Sequence, residues 1–185
     1  LGFKASPVNG LWFNVFGGYR ISKDELFCNL VDADGYYFTH FLQDKAKTAY
    51  GGAELKYGYK DWFDASLKGT FYSWKTDNEN EELYLMTKPK FELNFYAEAK
   101  VFEGLKVYLG YEYVQRKEYV IEEGNSSRDF GLGNISNLSV GASYTFLKDL
   151  SVFGRVNNLL NKQYYYEYGY PAEKLNVLAG LSLVF

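Results

Sequence analysis

The chain has 185 residues, a formal net charge of −3 and a single histidine, so it carries no basic excess for nucleic acid and no multi-histidine metal site. Aromatic residues make up 20 % of it, with 19 Tyr and 15 Phe against 3 Pro, a balance that suits strands. One cysteine, Cys28, excludes an internal disulfide, and no run approaches the ~18 apolar residues of a membrane-spanning helix.

Alternation with a period of two, which a strand produces and a helix does not, runs through most of the chain. Expected strands cover residues 1–6, 11–28, 37–57, 62–75, 90–101, 105–117, 135–146, 150–161 and 175–185. From Leu11 to Ile21, Leu11, Phe13, Val15, Gly17, Tyr19 and Ile21 oppose Trp12, Asn14, Phe16, Gly18 and Arg20. Phe63, Ala65, Leu67, Gly69 and Phe71 oppose Asp64, Ser66, Lys68, Thr70 and Tyr72. Phe91, Leu93, Phe95, Ala97, Ala99 and Val101 oppose Glu92, Asn94, Tyr96, Glu98 and Lys100, and the strand from Leu105 repeats the pattern. The last eleven residues alternate again, with Leu178 and Val184 as exceptions, and end on Phe185.

Short turns around Asn9, Lys60, Glu103 and Lys148 recur at nearly even spacing. Longer polar segments separate them at 29–36, 76–89, 118–133 and 162–173. Short turns at one end and long loops at the other are the layout of an outer-membrane barrel. A Lys or Arg facing lipid near the midplane costs about 2–4 kcal/mol, and the apolar faces carry none. The charged faces, with Arg20, Glu54, Lys56, Asp64, Lys68, Glu92, Glu98, Lys100, Lys106, Glu112 and Arg155, must therefore meet water or a polar plug. The expected fold is all-β: an antiparallel transmembrane β-barrel of about eight or nine meander strands, part of a larger barrel.

Candidate sites are few. His40 lies beside Phe38 and Phe41 near the long-loop end and reads as a solvated or girdle residue. The acidic run from Thr76 to Glu82 lacks the spaced pattern of a calcium loop and reads as solvated. Tyr164, Tyr165, Tyr166, Tyr168 and Tyr170 cluster at a loop tip, where rings can stack on a solute, and are the candidate ligand contacts. There is no phosphate-cradling glycine loop and no nucleophile elbow, so no catalytic, cofactor or metal residues are assigned and no enzyme is expected.

The run Val156-Asn-Asn-Leu-Leu-Asn-Lys-Gln-Tyr164, then Tyr168-Gly-Tyr-Pro-Ala172 and a final strand ending on Phe185, resembles the C-terminus of TonB-dependent outer-membrane receptors. Gly51-Gly-Ala-Glu-Leu-Lys-Tyr57 and Pro89-Lys-Phe-Glu-Leu-Asn94 look like barrel strands of Bacteroidetes members. The resemblance implies a multi-pass barrel in the cell outer membrane, in contact with its lipid. It implies energised uptake of a scarce solute such as a siderophore, cobalamin, haem or an oligosaccharide. A plug domain and the TonB complex would act through the parent protein, and the barrel-assembly machinery would read Phe185. No plug lies within 1–185, and nine strands fall short of the 22 of such transporters. The expectation is thus a C-terminal part of one barrel domain, with residues upstream. The alternative is a small structural or adhesive outer-membrane barrel that transports nothing.

Overall fold

The computed structural model describes residues 1–30, 38–76, 84–117, 120–123, 126–129, 132–167 and 170–184, with the side chains of 27–30, 38–41, 120–123, 126–129 and 167 left out. Nine strands form one antiparallel sheet in an unbroken meander: β1 (Gly2–Val8), β2 (Leu11–Leu30), β3 (Phe38–Tyr59), β4 (Phe63–Thr76), β5 (Pro89–Phe102), β6 (Leu105–Arg116), β9 (Ile135–Leu147), β10 (Leu150–Asn157) and β13 (Asn176–Leu183). Two small hairpins stand outside it, β7 (Val120–Glu123) with β8 (Ser126–Asp129), and β11 (Tyr165–Glu167) with β12 (Tyr170–Pro171). No helix among the described residues is long and apolar enough to cross a membrane.

Each short connection has a local cause. Gly10 and Gly104 sit at φ +82° and +85°, left-handed conformations that glycine adopts without steric cost, and they close the β1–β2 and β5–β6 turns. Lys60, at φ +54°, helps to close the β3–β4 turn. Register shifts flank three of the short turns, between Ala5 and Val8, Lys100 and Phe102, and Leu150 and Ser151, and along the ladders between them directly paired residues point to the same side.

Through the middle of the sheet the register keeps charge off the apolar face, and only toward the long-loop end do Lys47 and Lys75 pair on that side. Leu55, Leu67, Phe95, Tyr111 and Leu138 form one row through pairwise pairing, and Glu54, Lys68, Asn94, Glu112 and Asn137 form the adjacent row. Every charged residue assigned to the inward face falls on the side of the second row. Among the described residues nothing packs on the apolar side: Phe3, Phe71 and Leu181 are 62 %, 65 % and 72 % exposed. A soluble sandwich buries that face against a second sheet, whereas here it is a continuous open apolar surface. Bilayer hydrocarbon is the solvent that such a face matches, with the backbone satisfied by ladder bonds.

Four details depart from the sequence expectations. Strand β10 ends at Asn157 instead of 161, because Asn158 and Asn161 take left-handed φ values of +49° and +50°. Within the polar segments 118–133 and 162–173, short β-hairpins form. Asp24, at φ +52°, reverses the faces of β2, so Glu25 turns inward and Leu26 outward. Tyr164, a candidate ligand contact, is buried at 5 % exposure, and Trp74 belongs to the inward row of β4.

Candidate functional site

The inward face is a compensated polar wall. Lys106 binds Glu98 at 2.8 Å, and Tyr96 donates to the same carboxylate at 3.0 Å. Tyr96 stacks on Tyr108 at 6.2 Å, and Arg155 lies over the Tyr108 ring at 5.9 Å. Lys100 pairs with Glu103 at 2.8 Å and Asp61 at 3.4 Å, while Lys56 pairs with Glu54 at 2.9 Å and covers the Trp12 ring at 5.0 Å. Partly exposed pairs of this kind contribute about 0–1 kcal/mol each. Their effect is to hold charge on a wet surface without net repulsion.

Three inward glycines lie opposite aromatic rings. Gly18, Gly141 and Gly180 pair with Tyr50, Tyr108 and Phe153, and a Cβ on any of them would run into the ring of its partner. Missing side chains thus let the rings lie flat along the wall. This recovers contact that a glycine in a strand forfeits.

At the long-loop end, beyond the apolar band, the reversal at Asp24 brings Glu25 under residues 84–88. Lys88 binds the Glu25 carboxylate at 2.9 Å and Tyr84 donates to it at 2.9 Å. Lys88 also covers the Tyr84 ring at 4.4 Å and the Trp74 ring at 5.6 Å. Burial pushes the Glu25 carboxyl up, but the Lys88 and Tyr84 hydrogen bonds and the Lys88 and Arg20 charges outweigh it, so the carboxyl ends below its usual range. Burial and the Glu25 hydrogen bond both push the Tyr84 hydroxyl upward, which keeps it a donor.

The Asn-Asn-Leu-Leu-Asn run folds into a hydrogen-bonded corner. Asn158 is 1 % exposed; its side-chain amide donates to the carbonyls of Lys162 (2.8 Å) and Glu173 (3.1 Å), and its Oδ1 accepts from Lys162 N–H at 3.2 Å. Asn157 and Asn176 bond across β10 and β13 at 2.9 Å, and Asn161 accepts from Leu175 N–H at 3.2 Å. The asparagines are therefore explained by local geometry, since Asn tolerates left-handed φ and bonds nearby backbone.

This corner sets the tyrosine cluster. Tyr164 is 5 % exposed and joins Val114 and Ile135 in a small core. Tyr165 is half-buried, and its hydroxyl accepts from Gln163 at 2.7 Å. Tyr166 packs edge-on against Tyr164 at 5.5 Å and donates to Glu112 at 3.0 Å. Burial and the Glu112 charge raise the Tyr166 hydroxyl well above its ordinary value. Tyr170 is 65 % exposed. Arg116, buried beneath, donates to the Tyr165 carbonyl at 2.6 Å, and burial lowers its guanidinium.

Tyr168, Phe185 and the acidic run after Thr76 lie outside the described residues, as do the side chains of His40 and Cys28, which are register partners in β2 and β3. No group of three or more His, Cys, Asp or Glu capable of holding a metal occurs among the described residues. The Glu25–Lys88–Tyr84 cluster and Arg116 were not among the sequence candidates. Their partners are far apart in the chain, and only the face reversal at Asp24 aims Glu25 at them.

No protein-family model and no curated protein matches this sequence. Solved structures do match by fold. The ferripyoverdine receptor of the Pseudomonas aeruginosa outer membrane superposes with a TM-score of 0.70 at 15 % identity, over 98 % of this chain and 26 % of its own. The siderophore receptor PirA from Acinetobacter baumannii gives 0.67 at 14 % identity, over 100 % and 31 %. The copper transporter OprC gives 0.68 at 11 %, over 100 % and 30 %. The chain thus spans about a quarter to a third of the structures it matches, and its fold is that of the wall of the outer-membrane receptor barrel, as the resemblance to TonB-dependent receptors implies.

Proposed function

We propose that residues 1–185 are the C-terminal part of the barrel domain of a TonB-dependent outer-membrane receptor, which takes up a scarce solute such as a siderophore, cobalamin, haem or an oligosaccharide. The observation that carries this reading is a single sheet with an open apolar face on one side and a charge-compensated polar face on the other. Such a wall separates lipid from a wet lumen, and the mixed charges of the inner face suit docking of a plug domain supplied by the parent protein. Energy for transport would reach that plug through the TonB complex. The solved structures of the same fold are receptors and a transporter, which supports a receptor over an enzyme.

Within this reading the tyrosine cluster is the part of the chain offered to solute at the long-loop end. Tyr166 and Tyr170 hold exposed positions there, Tyr164 and Tyr165 support them from the protein side, and Tyr168 completes the run. Phe185 is proposed as the signal read by the barrel-assembly machinery.

The test is uptake by the full-length protein in a Gram-negative host stripped of its own receptors. Labelled ferric siderophore, cobalamin, haem and oligosaccharide are offered with and without a protonophore. Uptake of one class that collapses with the protonophore supports the reading. Passive, protonophore-insensitive permeation, or surface display with no uptake, favours the non-transporting barrel.

A further inference from the structure

Arg116 is a charge buried where packing alone would do. It is 8 % exposed on the inward side of β6, two residues past Val114, which fills its own place by apolar contact with Ile135 and Tyr164. Burying a guanidinium is expensive, and an apolar residue of similar volume in its place is often neutral or stabilising. The charges of Glu112 and Glu92 offset part of that expense. Among the described residues, however, the only side-chain bond of Arg116 goes to the Tyr165 carbonyl, at 2.6 Å, and its buried Nε has no partner. A buried donor left idle is destabilising, so stability does not account for an arginine here.

What the guanidinium holds is the main chain beneath a solute-facing ring. Its own place is fixed: Arg116 pairs with Pro89 across the ladder, just past the slip at Lys90 where β5 gains a residue. Its backbone N–H donates to Asn134 Oδ1 at 2.9 Å. From there it grips the peptide that joins Tyr165 to Tyr166. Side chains alternate along an extended chain, so Tyr164 and Tyr166 fall on one side, and their rings pack edge-on at 5.5 Å. Tyr164 is anchored in the small core, with its carbonyl accepting from Ala172 N–H at 2.9 Å. Tyr166 is 49 % exposed and donates to Glu112 at 3.0 Å. The peptide between them is planar, so fixing its carbonyl also fixes the direction in which Tyr166 leaves the chain.

We propose that Arg116 is a positioning residue for solute capture: by fixing the Tyr165 carbonyl it seats the Tyr166 hydroxyl on Glu112 and presents the exposed Tyr166 ring preformed. A ring already held in place loses little freedom when a solute arrives, which strengthens capture without any new contact. The proposal rests on the receptor reading above. It holds for each of the four solute classes named there, because it concerns where the ring stands and not what lies on it.

The test uses the full-length protein as wild type, Arg116→Lys and Arg116→Met, each checked for assembly and for its urea midpoint. Methionine has neither donor nor charge, and burial of an apolar residue at this point is compatible with folding. Tetranitromethane nitrates tyrosine through its phenolate, and peptide mapping by mass spectrometry reads Tyr166 by itself. Burial and the Glu112 charge hold that hydroxyl well above its ordinary value, so the wild type should react slowly. Loss of the guanidinium charge alone would slow the reaction further, since a nearby cation favours the phenolate. Release of the ring from Glu112 acts in the opposite direction, and each unit by which the hydroxyl falls speeds nitration about tenfold. Arg116→Met is therefore expected to nitrate at Tyr166 faster by on the order of tenfold. Arg116→Lys, which keeps a donor for the carbonyl, should stay near wild type. If Arg116→Met fails to assemble, the shorter, uncharged Arg116→Gln takes its place with the same expected direction.

The second measurement is saturable uptake of labelled ferric siderophore, cobalamin, haem and oligosaccharide. For the one that the wild type takes up, Arg116→Met should raise the half-saturating concentration on the order of tenfold, with the maximal rate unchanged and Arg116→Lys close to wild type. Tyr166 nitration that is unchanged or slower in an assembled variant overturns the proposal. So does a lower maximal rate at an unchanged half-saturating concentration. Uptake of none of the four, with nitration as expected, sinks the receptor reading and the capture role with it. Uptake with unaltered nitration sinks the role of Arg116 alone.

Discussion

Asn158 donates its side-chain amide to the main-chain carbonyl of Glu173 at 3.1 Å, tying the end of β10 to the approach of β13 through one buried group. The same residue receives support from β9, whose Asn137 Oδ1 accepts its backbone N–H at 3.1 Å. Replacing Asn158 by Ala leaves buried backbone groups without partners, at a cost on the order of 1–3 kcal/mol, and adds strain at φ +49°. Asn158→Gly removes the amide but accommodates the φ, so it should be the milder of the two. Urea unfolding of the barrel in detergent checks the order: wild type most stable, Gly intermediate, Ala least. Equal midpoints for all three would show that the corner carries no stability.

The Glu25 cluster predicts an acid-sensitive clasp. Its carboxyl is held below the usual range in the folded chain, so its contribution is fully present above the unfolded value of about 4.3 and is lost as pH falls through the lower folded value. Lowering pH through this acidic window should release residues 84–88 from β2. Amide exchange at Tyr84–Lys88 should rise below about pH 4 in the wild type. In Glu25→Gln it should already be high at neutral pH and change little with acid. Exchange that is flat with pH in both proteins would remove Glu25 from this role.

Adjacent positions on β4 offer a sharp contrast. Leu67→Arg places a guanidinium on the lipid side, which costs about 2–4 kcal/mol near the midplane. Ser66→Arg places it on the inward side, between Lys56 and Tyr96, where water solvates it. Assembly into the outer membrane, read by heat-modifiable gel mobility, should fall for Leu67→Arg and stay near wild type for Ser66→Arg.

Deletion of Phe185 is expected to lower the amount of assembled barrel while synthesis stays normal, because the terminal aromatic is proposed as the assembly signal. Pulse labelling followed by surface protease access measures both quantities. Undiminished surface exposure of the truncated chain would remove the signal role.

The faces of the sheet were readable in the sequence because period-two alternation runs along the body of each strand, and it places Glu92, Asn94 and Glu98 opposite Phe91, Leu93 and Phe95 without knowledge of any partner. Three things escaped it. The apolar pair Leu159 and Leu160 hid the end of β10, although Asn at 158 and 161 is the residue type that tolerates the turn. The reversal at Asp24 depends on one backbone angle for which acidic side chains give little warning. Contacts such as Tyr84 with Glu25, 59 residues apart, and the slip at Lys90 exist only once the strands are in register.

The central claim, that the apolar face meets hydrocarbon and the charged face meets water, is tested most directly by fluorophores attached at single cysteines in a Cys28→Ser background. Labels at successive positions from Leu67 to Phe71 on β4 and from Val107 to Tyr111 on β6 are quenched with brominated lipid and with aqueous iodide. The account predicts an alternating record, in which Leu67, Gly69, Phe71, Val107, Leu109 and Tyr111 respond to brominated lipid and Lys68, Thr70, Tyr108 and Gly110 respond to iodide. Iodide quenching at every position, or no alternation between the two quenchers, would contradict it.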